Sequence, residues 1–156
     1  MVTVRLERTI SCTPDELLEF VMDIERYAAV DKKIHPVTWS RREGNLLEFA
    51  CKPTLAGIPQ PKVVQQIRLT PGKRLDIWMS PPPHNRLQHA VARFEASFET
   101  EPVDGGTMVT RTLSFRFAAA VRPLAEPLFR RRLPAEVADE LDRAQDYLEG
   151  TNRFAC

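Results

Sequence analysis

The chain has 156 residues, 43% of them apolar and 28% charged, and 22 basic against 21 acidic side chains leave a formal net charge of +1. That length fits one domain, residues 1–156, able to bury roughly 70% of the surface an unfolded chain exposes. Near balance of charge excludes a nucleic-acid protein driven by bulk charge, since such domains are clearly basic, and no nucleic-acid partner is expected.

Val2, Val4, Leu6 and Ile10 alternate with Thr3, Arg5, Glu7 and Thr9, the period of a half-buried strand. Thr13, Pro14 and Glu16 then form a helix-start signal: a cap, a proline at the first helical position and the acid of a capping box. Leu17, Phe20, Val21 and Ile24 recur at helical spacing, and a second short helix is expected over Glu25 to Val30. From Ile34 the period becomes that of strands. Val37, Trp39 and Arg41 share one face, Glu43-Gly44-Asn45 makes a hairpin turn, and Leu47, Phe49 and Cys51 resume the alternation. Pro53, Gly57, Pro59 and Pro61 mark a longer connection. The next inward rows are Val63, Gln65, Ile67 and Leu69, then Leu75, Ile77 and Met79, ending at Pro81-Pro82-Pro83, which cannot donate to a ladder. Two long strands follow, with Ala92, Phe94, Ala96 and Phe98 inward on the first and Val109, Leu113, Phe115 and Phe117 on the second, joined at Asp104-Gly105-Gly106.

The tail is helical. Pro123, Pro127 and Pro134 predict a broken start, after which Val137, Leu141, Ala144 and Leu148 form one stripe, with Gly150 as the stop. A sheet with one apolar face and a helix with one apolar stripe bury each other most simply when the helix lies in the hollow of the sheet. The expected class is α+β: a curved seven-stranded antiparallel sheet wrapped around a long C-terminal helix, with two short helices after the first strand.

Cys12, Cys51 and Cys156 are odd in number and lack metal-ligand spacing, so they read as free thiols of a reducing compartment. The N-terminus alternates in polarity and lacks the apolar core of a signal peptide, and no run approaches the roughly 18 apolar residues of a membrane span. A cytoplasmic protein without integral membrane association is expected.

Three stretches carry a family resemblance. Thr9-Ile10-Ser11-Cys12-Thr13-Pro14-Asp15-Glu16, followed by Phe20-Val21-Met22-Asp23-Ile24-Glu25-Arg26-Tyr27, is similar to the first strand and helix pair of the START-like (SRPBCC) superfamily. Asp104-Gly105-Gly106-Thr107-Met108-Val109-Thr110 resembles the last hairpin of that superfamily, and Tyr147-Leu148-Glu149 the end of its final helix. The superfamily includes polyketide cyclase/dehydrase-like and lipid-transfer proteins. The resemblance implies a helix-grip fold and a cavity between helix and sheet, without a shared catalytic set. A ligand-sized void of about 300 Å³ would cost on the order of 7 kcal/mol if left empty, half or more of the net stability of many domains. Side chains must therefore collapse into it, or water or a ligand must fill it.

Arg111 falls in the inward row of Leu113 and Phe115, and Arg8 in that of Leu6 and Ile10. An unpaired buried guanidinium is costly, so each is expected either to meet an acidic group on an otherwise apolar ligand or to pair with an acid such as Glu7, snorkel, or sit at a bulge. His35 shares the inward parity of Val37 and is a candidate general acid or a hydrogen-bonded rim residue; Gln65 is a candidate polar contact. His84 and His89 complete no metal motif, and neither a metal nor a cofactor is expected. Trp39, Phe49, Phe94, Phe98, Phe115 and Phe129 either line the cavity or fill the core, together with Ile67, Ile77, Met79 and Leu113. Trp78 has outward parity, and Arg130-Arg131-Arg132 reads as a solvated basic face.

No catalytic constellation is recognisable, so three classes stay open. The first is binding or transport of a small apolar lipid-like, polyketide-like or aromatic molecule. The second is a cyclase or aromatase using His35, Gln65 or Arg111. The third is an interaction or regulatory module, such as a toxin–antitoxin partner, which an apolar patch near Trp78 would favour.

Overall fold

The computed structural model describes residues 1–154, with side chains described as far as Gly150; the expectation for Cys156 lies outside the described residues. Strand β1 (Val2–Ile10) leads into helix α1 (Pro14–Met22), whose start is built as the sequence requires. Thr13 Oγ1 accepts from the Glu16 backbone N–H at 3.1 Å, and Glu16 Oε1 accepts from the Thr13 N–H at 3.4 Å. Two of the orphan donors at the helix start are thereby satisfied. Helix α2 covers Ile24–Tyr27, ending before the expected Val30.

The remaining sheet strands are β2 (Val37–Glu43), β3 (Leu46–Cys51), β6 (Val63–Thr70), β7 (Arg74–Met79), β8 (Ala92–Val103) and β9 (Gly106–Phe117). With β1 they form one seven-stranded antiparallel sheet in the order β1-β9-β8-β7-β6-β3-β2. Closing the order with β1 beside β9 brings the first and last strands together. Gly106 makes that junction possible: its φ is +151°, and a Cβ there would stand 2.1 Å from the carbonyl oxygen of Ile10. Any side chain would push the start of β9 off the end of β1.

Two small elements have no periodic signature. A two-stranded hairpin, β4 (Thr54–Leu55) and β5 (Ile58–Pro59), stands outside the main sheet, and helix α3 (Arg86–Val91) follows the proline run. Both are held by distant partners. Arg132 donates to the Ala56 carbonyl at 3.1 Å and Glu136 accepts from the Ala56 N–H at 3.2 Å, fastening the hairpin to the C-terminal helix. Asn85, in the left-handed region at φ 58°, accepts from the Val64 N–H at 2.8 Å and donates to the carbonyls of Val64 and Ser80 at 2.7 and 3.0 Å, fixing the start of α3 against β6.

Helix α4 runs unbroken over Arg122–Phe154, through Pro127 and Pro134 and past Gly150, contrary to the broken start and the stop expected from those residues. Pro123 sits in the first turn, where an N–H has no intrahelical acceptor in any case, and Pro127 and Pro134 each delete a single backbone bond. Burial outweighs that loss: Leu133, Val137, Leu141, Ala144 and Leu148 are all buried against the sheet and α1. The stripe seals one continuous core with Ile10, Leu18, Phe49, Leu75 and Leu113.

Thr13→Ala is expected to lower unfolding stability by about 1 kcal/mol through loss of the cap. Gly106→Ala should cost more, because a backbone has to move. Urea midpoints for the two variants check both values; a neutral Gly106→Ala would remove the junction argument.

Candidate functional site

The inward rows of β6, β7, β8 and β9 do not close fully against α4. They leave a cavity of about 220 Å³. An engineered apolar void of about 150 Å³ holds benzene, so this space suits a one- or two-ring molecule or a short chain. Empty and dry, it would cost on the order of 5 kcal/mol. Strands β3, β6, β7, β8 and β9 contribute through their alternating residues: Phe49 on β3, Gln65 and Ile67 on β6, Ile77 and Met79 on β7. Phe94 and Phe98 on β8, Arg111, Leu113 and Phe115 on β9, and Phe129 on α4 complete that expected set. Phe129 closes one end, edge-on to Phe115 at 5.1 Å and to Phe117 at 4.8 Å between ring centroids. Leu55 of the β4–β5 hairpin, Pro61 just after it and Leu87 on α3 border the opening, and Leu87 is 64% exposed.

The opposite end is charged. Arg111 is 4% exposed, and its nearest anions belong to the protein itself. Its Nε lies 3.3 and 3.5 Å from the two Glu140 oxygens, and its Nη2 lies 3.9 Å from Asp31 Oδ2. Lys33 Nζ bridges the same two acids, 2.8 Å from Asp31 Oδ1 and 2.8 Å from Glu140 Oε1. The Tyr27 hydroxyl donates to Glu140 Oε2, and the Phe98 ring lies 4.1 Å below the Arg111 guanidinium. Tyr27, Asp31, Lys33 and Arg111 all line the cavity, so this cluster is its floor.

Burial and charge act against one another there. Burial raises the Glu140 carboxyl, but Arg111 and Lys33 outweigh it and hold Glu140 at about 2. Asp31 is raised, by burial first and by Glu140 second. Burial lowers the Lys33 ammonium, yet Asp31 and Glu140 carry it above its ordinary value. Burial, with Glu140 beside it, pushes the Tyr27 phenol well above 10, so it stays protonated.

Of these floor residues, only Arg111 stands out in the sequence. Glu140 was legible by spacing, three residues after Val137 and four before Ala144 on the buried stripe. Tyr27 lies in α2, and Asp31 and Lys33 lie in the aperiodic segment after it, where no pattern reveals inward direction.

Three expected residues lie outside the cavity wall. Arg8 reaches across the β1–α4 seam to Asp142, half-exposed. His35 is exposed, while its neighbour Ile34 turns in. Trp39 is 36% exposed because the β2–β3 register slips between Val37 and Trp39, a bulge that moves every later residue of β2 to the opposite face. Val37 and Trp39 therefore do not share a face. On the outer face Trp78 is half-buried, donates from Nε1 to Gln66 Oε1 at 3.0 Å and lies under the Arg68 guanidinium. The basic run divides its work: Arg130 pairs with Glu126 at 3.0 Å, and Arg132 holds the hairpin. Burial pushes the Cys12 and Cys51 thiols up to about 11 and about 12, leaving them protonated. Among the described residues no group of histidine, cysteine, aspartate and glutamate has metal-binding geometry, and no described helix is long and apolar enough to cross a membrane.

Glu140→Ala leaves Lys33 and Arg111 to share Asp31 in a buried site with one uncompensated positive charge, and is expected to cost about 3–5 kcal/mol. Because the folded Glu140 pKa lies below its unfolded 4.5, its stabilisation is full above that value and is lost as pH falls toward about 2. Asp31, raised in the fold, works in the opposite sense and declines as pH rises through its folded value. Urea unfolding at pH 5 and pH 2.5 should show acid loss in the parent protein and a smaller loss in Glu140→Gln. An equal loss in both would take Glu140 out of the account.

Solved structures share this architecture at low identity. A START superfamily protein from Mycobacterium smegmatis matches with a TM-score of 0.69 at 10% identity, over 96% of this chain and 98% of that one. The Zhui aromatase/cyclase from a Streptomyces species matches with a TM-score of 0.69 at 12% identity, over 95% and 93%. The di-domain ARO/CYC BexL from the BE-7585A biosynthetic pathway matches with a TM-score of 0.74 at 13% identity, over 95% of this chain and 50% of that one. These likenesses show the helix-grip fold. No curated protein matches the chain. A family profile described as polyketide cyclase/dehydrase and lipid transport matches residues 1–149, and the chain belongs to that family.

Proposed function

We propose that this protein binds a small, largely apolar molecule in the cavity between sheet and α4. The observation that carries the reading is the 220 Å³ space itself, with apolar walls, an opening at α3 and a charged floor. A void of that size in a packed core is a stability cost that collapse of a few side chains would remove. Its persistence beside flexible Met79 and unbranched Gln65 is what a binding site requires. Wall residues of the expected set hold the ligand: Phe49, Ile67, Ile77, Met79, Phe94, Phe98, Leu113, Phe115 and Phe129 by shape, Gln65 and Arg111 by polar contact.

A cyclase is the second reading, favoured by the cationic group in the cavity floor. An Arg111 guanidinium beside a bound carbonyl would polarise it, and a fixed wall would hold a chain in one folded form. The reading as an interaction module has less support, since Trp78 is bonded and covered rather than part of an open apolar patch.

The neutral fluorophore N-phenyl-1-naphthylamine should bind saturably at one site per chain. Ile77→Trp, which fills the cavity from β7, should weaken it at least tenfold without changing the circular dichroism spectrum. Equal binding by both proteins would place the probe elsewhere and end the proposal. Turnover of an aromatic polyketide precursor, lost in Arg111→Met, would move the assignment to the cyclase.

A further inference from the structure

The floor of the cavity is charged, but its charges cancel. Asp31 and Glu140 supply two negative groups; Lys33 and Arg111 supply two positive ones, all within one network. Asp31 is raised by burial, but the Lys33 ammonium 2.8 Å from its Oδ1 and the Arg111 guanidinium 3.9 Å from its Oδ2 act the other way and favour its ionised form. A ligand carboxylate brought here would add an uncompensated charge to a buried site.

Hydrogen bonding within the cluster is incomplete in a specific way. Arg111 Nη1 and Asp31 Oδ2 are buried and make no hydrogen bond among the described residues, the first a donor and the second an acceptor. Nη2 of the same guanidinium is 3.9 Å from that Asp31 oxygen, so one small group could serve both. Burying such atoms unmet is costly. A hydroxyl accepts from the arginine and donates to the aspartate. A carboxylate cannot donate, and an ether cannot either. Gln65, 8% exposed and without a side-chain hydrogen bond among the described residues, stands four residues along β6 from the Leu69 row, which pairs across to Leu75, Phe98 and Arg111. It offers an amide nearer the opening.

We infer that the cavity selects an uncharged, hydroxyl-bearing apolar molecule, its hydroxyl seated between Arg111 and Asp31, and discriminates against the matching carboxylate. The inference rests on the binding function proposed above and names the class of ligand. It also reassigns the role of Arg111, from meeting a ligand acid to presenting one free donor while its charge is spent on Glu140 and Asp31.

Calorimetry with 2-naphthol, 2-methoxynaphthalene and 2-naphthoate at pH 7 tests it. 2-Naphthol should bind about tenfold tighter than the methyl ether and tighter still than the acid. Asp31→Asn, which leaves the floor with one net positive charge, should raise 2-naphthoate affinity at least tenfold; Glu140→Gln makes the same charge change if the first variant fails to fold. 2-Naphthoate binding as tightly as 2-naphthol to the parent protein, or unmoved by both variants, would overturn the inference while leaving the binding function in place. No binding of any of the three would overturn both.

Discussion

Three stretches distant in sequence meet at one carboxylate. Glu140 sits on the buried face of α4 and bonds Tyr27 from α2, Lys33 from the following loop and Arg111 from β9. A lone carboxylate there would face a desolvation cost of several kcal/mol, and so would either cation. Each group is tolerable only because the others are present, which ties the helix to the sheet at one register. Apolar packing along Val137, Leu141 and Ala144 holds α4 in the hollow but would tolerate sliding by a turn; a charged cluster does not. The cluster specifies position, and the stripe supplies most of the adhesion.

The same constraint shapes the cavity. Polar atoms at its floor resist collapse, because an apolar side chain moved against them would leave more groups unmet. At the opposite end the aromatic set of Phe94, Phe115, Phe117 and Phe129 packs rigidly around Phe129, the α4 residue in the cavity wall. Rigid rings at one end and fixed charges at the other keep the space between them from closing. The opening is built from the β4–β5 hairpin, whose backbone is held by side chains of α4, and α3, whose start is held by the Asn85 side chain on distant backbone.

Much of the architecture follows from local patterns. Alternation placed the inward rows of β6 to β9 correctly, since those strands are regular and one slip would expose a whole face. The capping residues marked α1, and the stripe marked α4. Where the reading departed from the structure, a local irregularity was responsible: one bulge turned Trp39 outward, and three prolines proved compatible with a helix held by burial. Arg111 was identifiable because a charge in an apolar row is conspicuous. Asp31 and Lys33 were not, because they lie where no period exists.

The sequence by itself determined the α+β class, the inward rows of β6 to β9 and the start of α1, because each of these depends on side-chain spacing within one element. Only the tertiary structure decided that Arg111 meets Glu140 rather than a ligand acid, that α4 runs unbroken, and that space remains beside it. Those outcomes depend on which segments arrive at the same place, and on whether the volumes of their side chains sum to the volume between them. Neither quantity is written in the period of any single strand or helix.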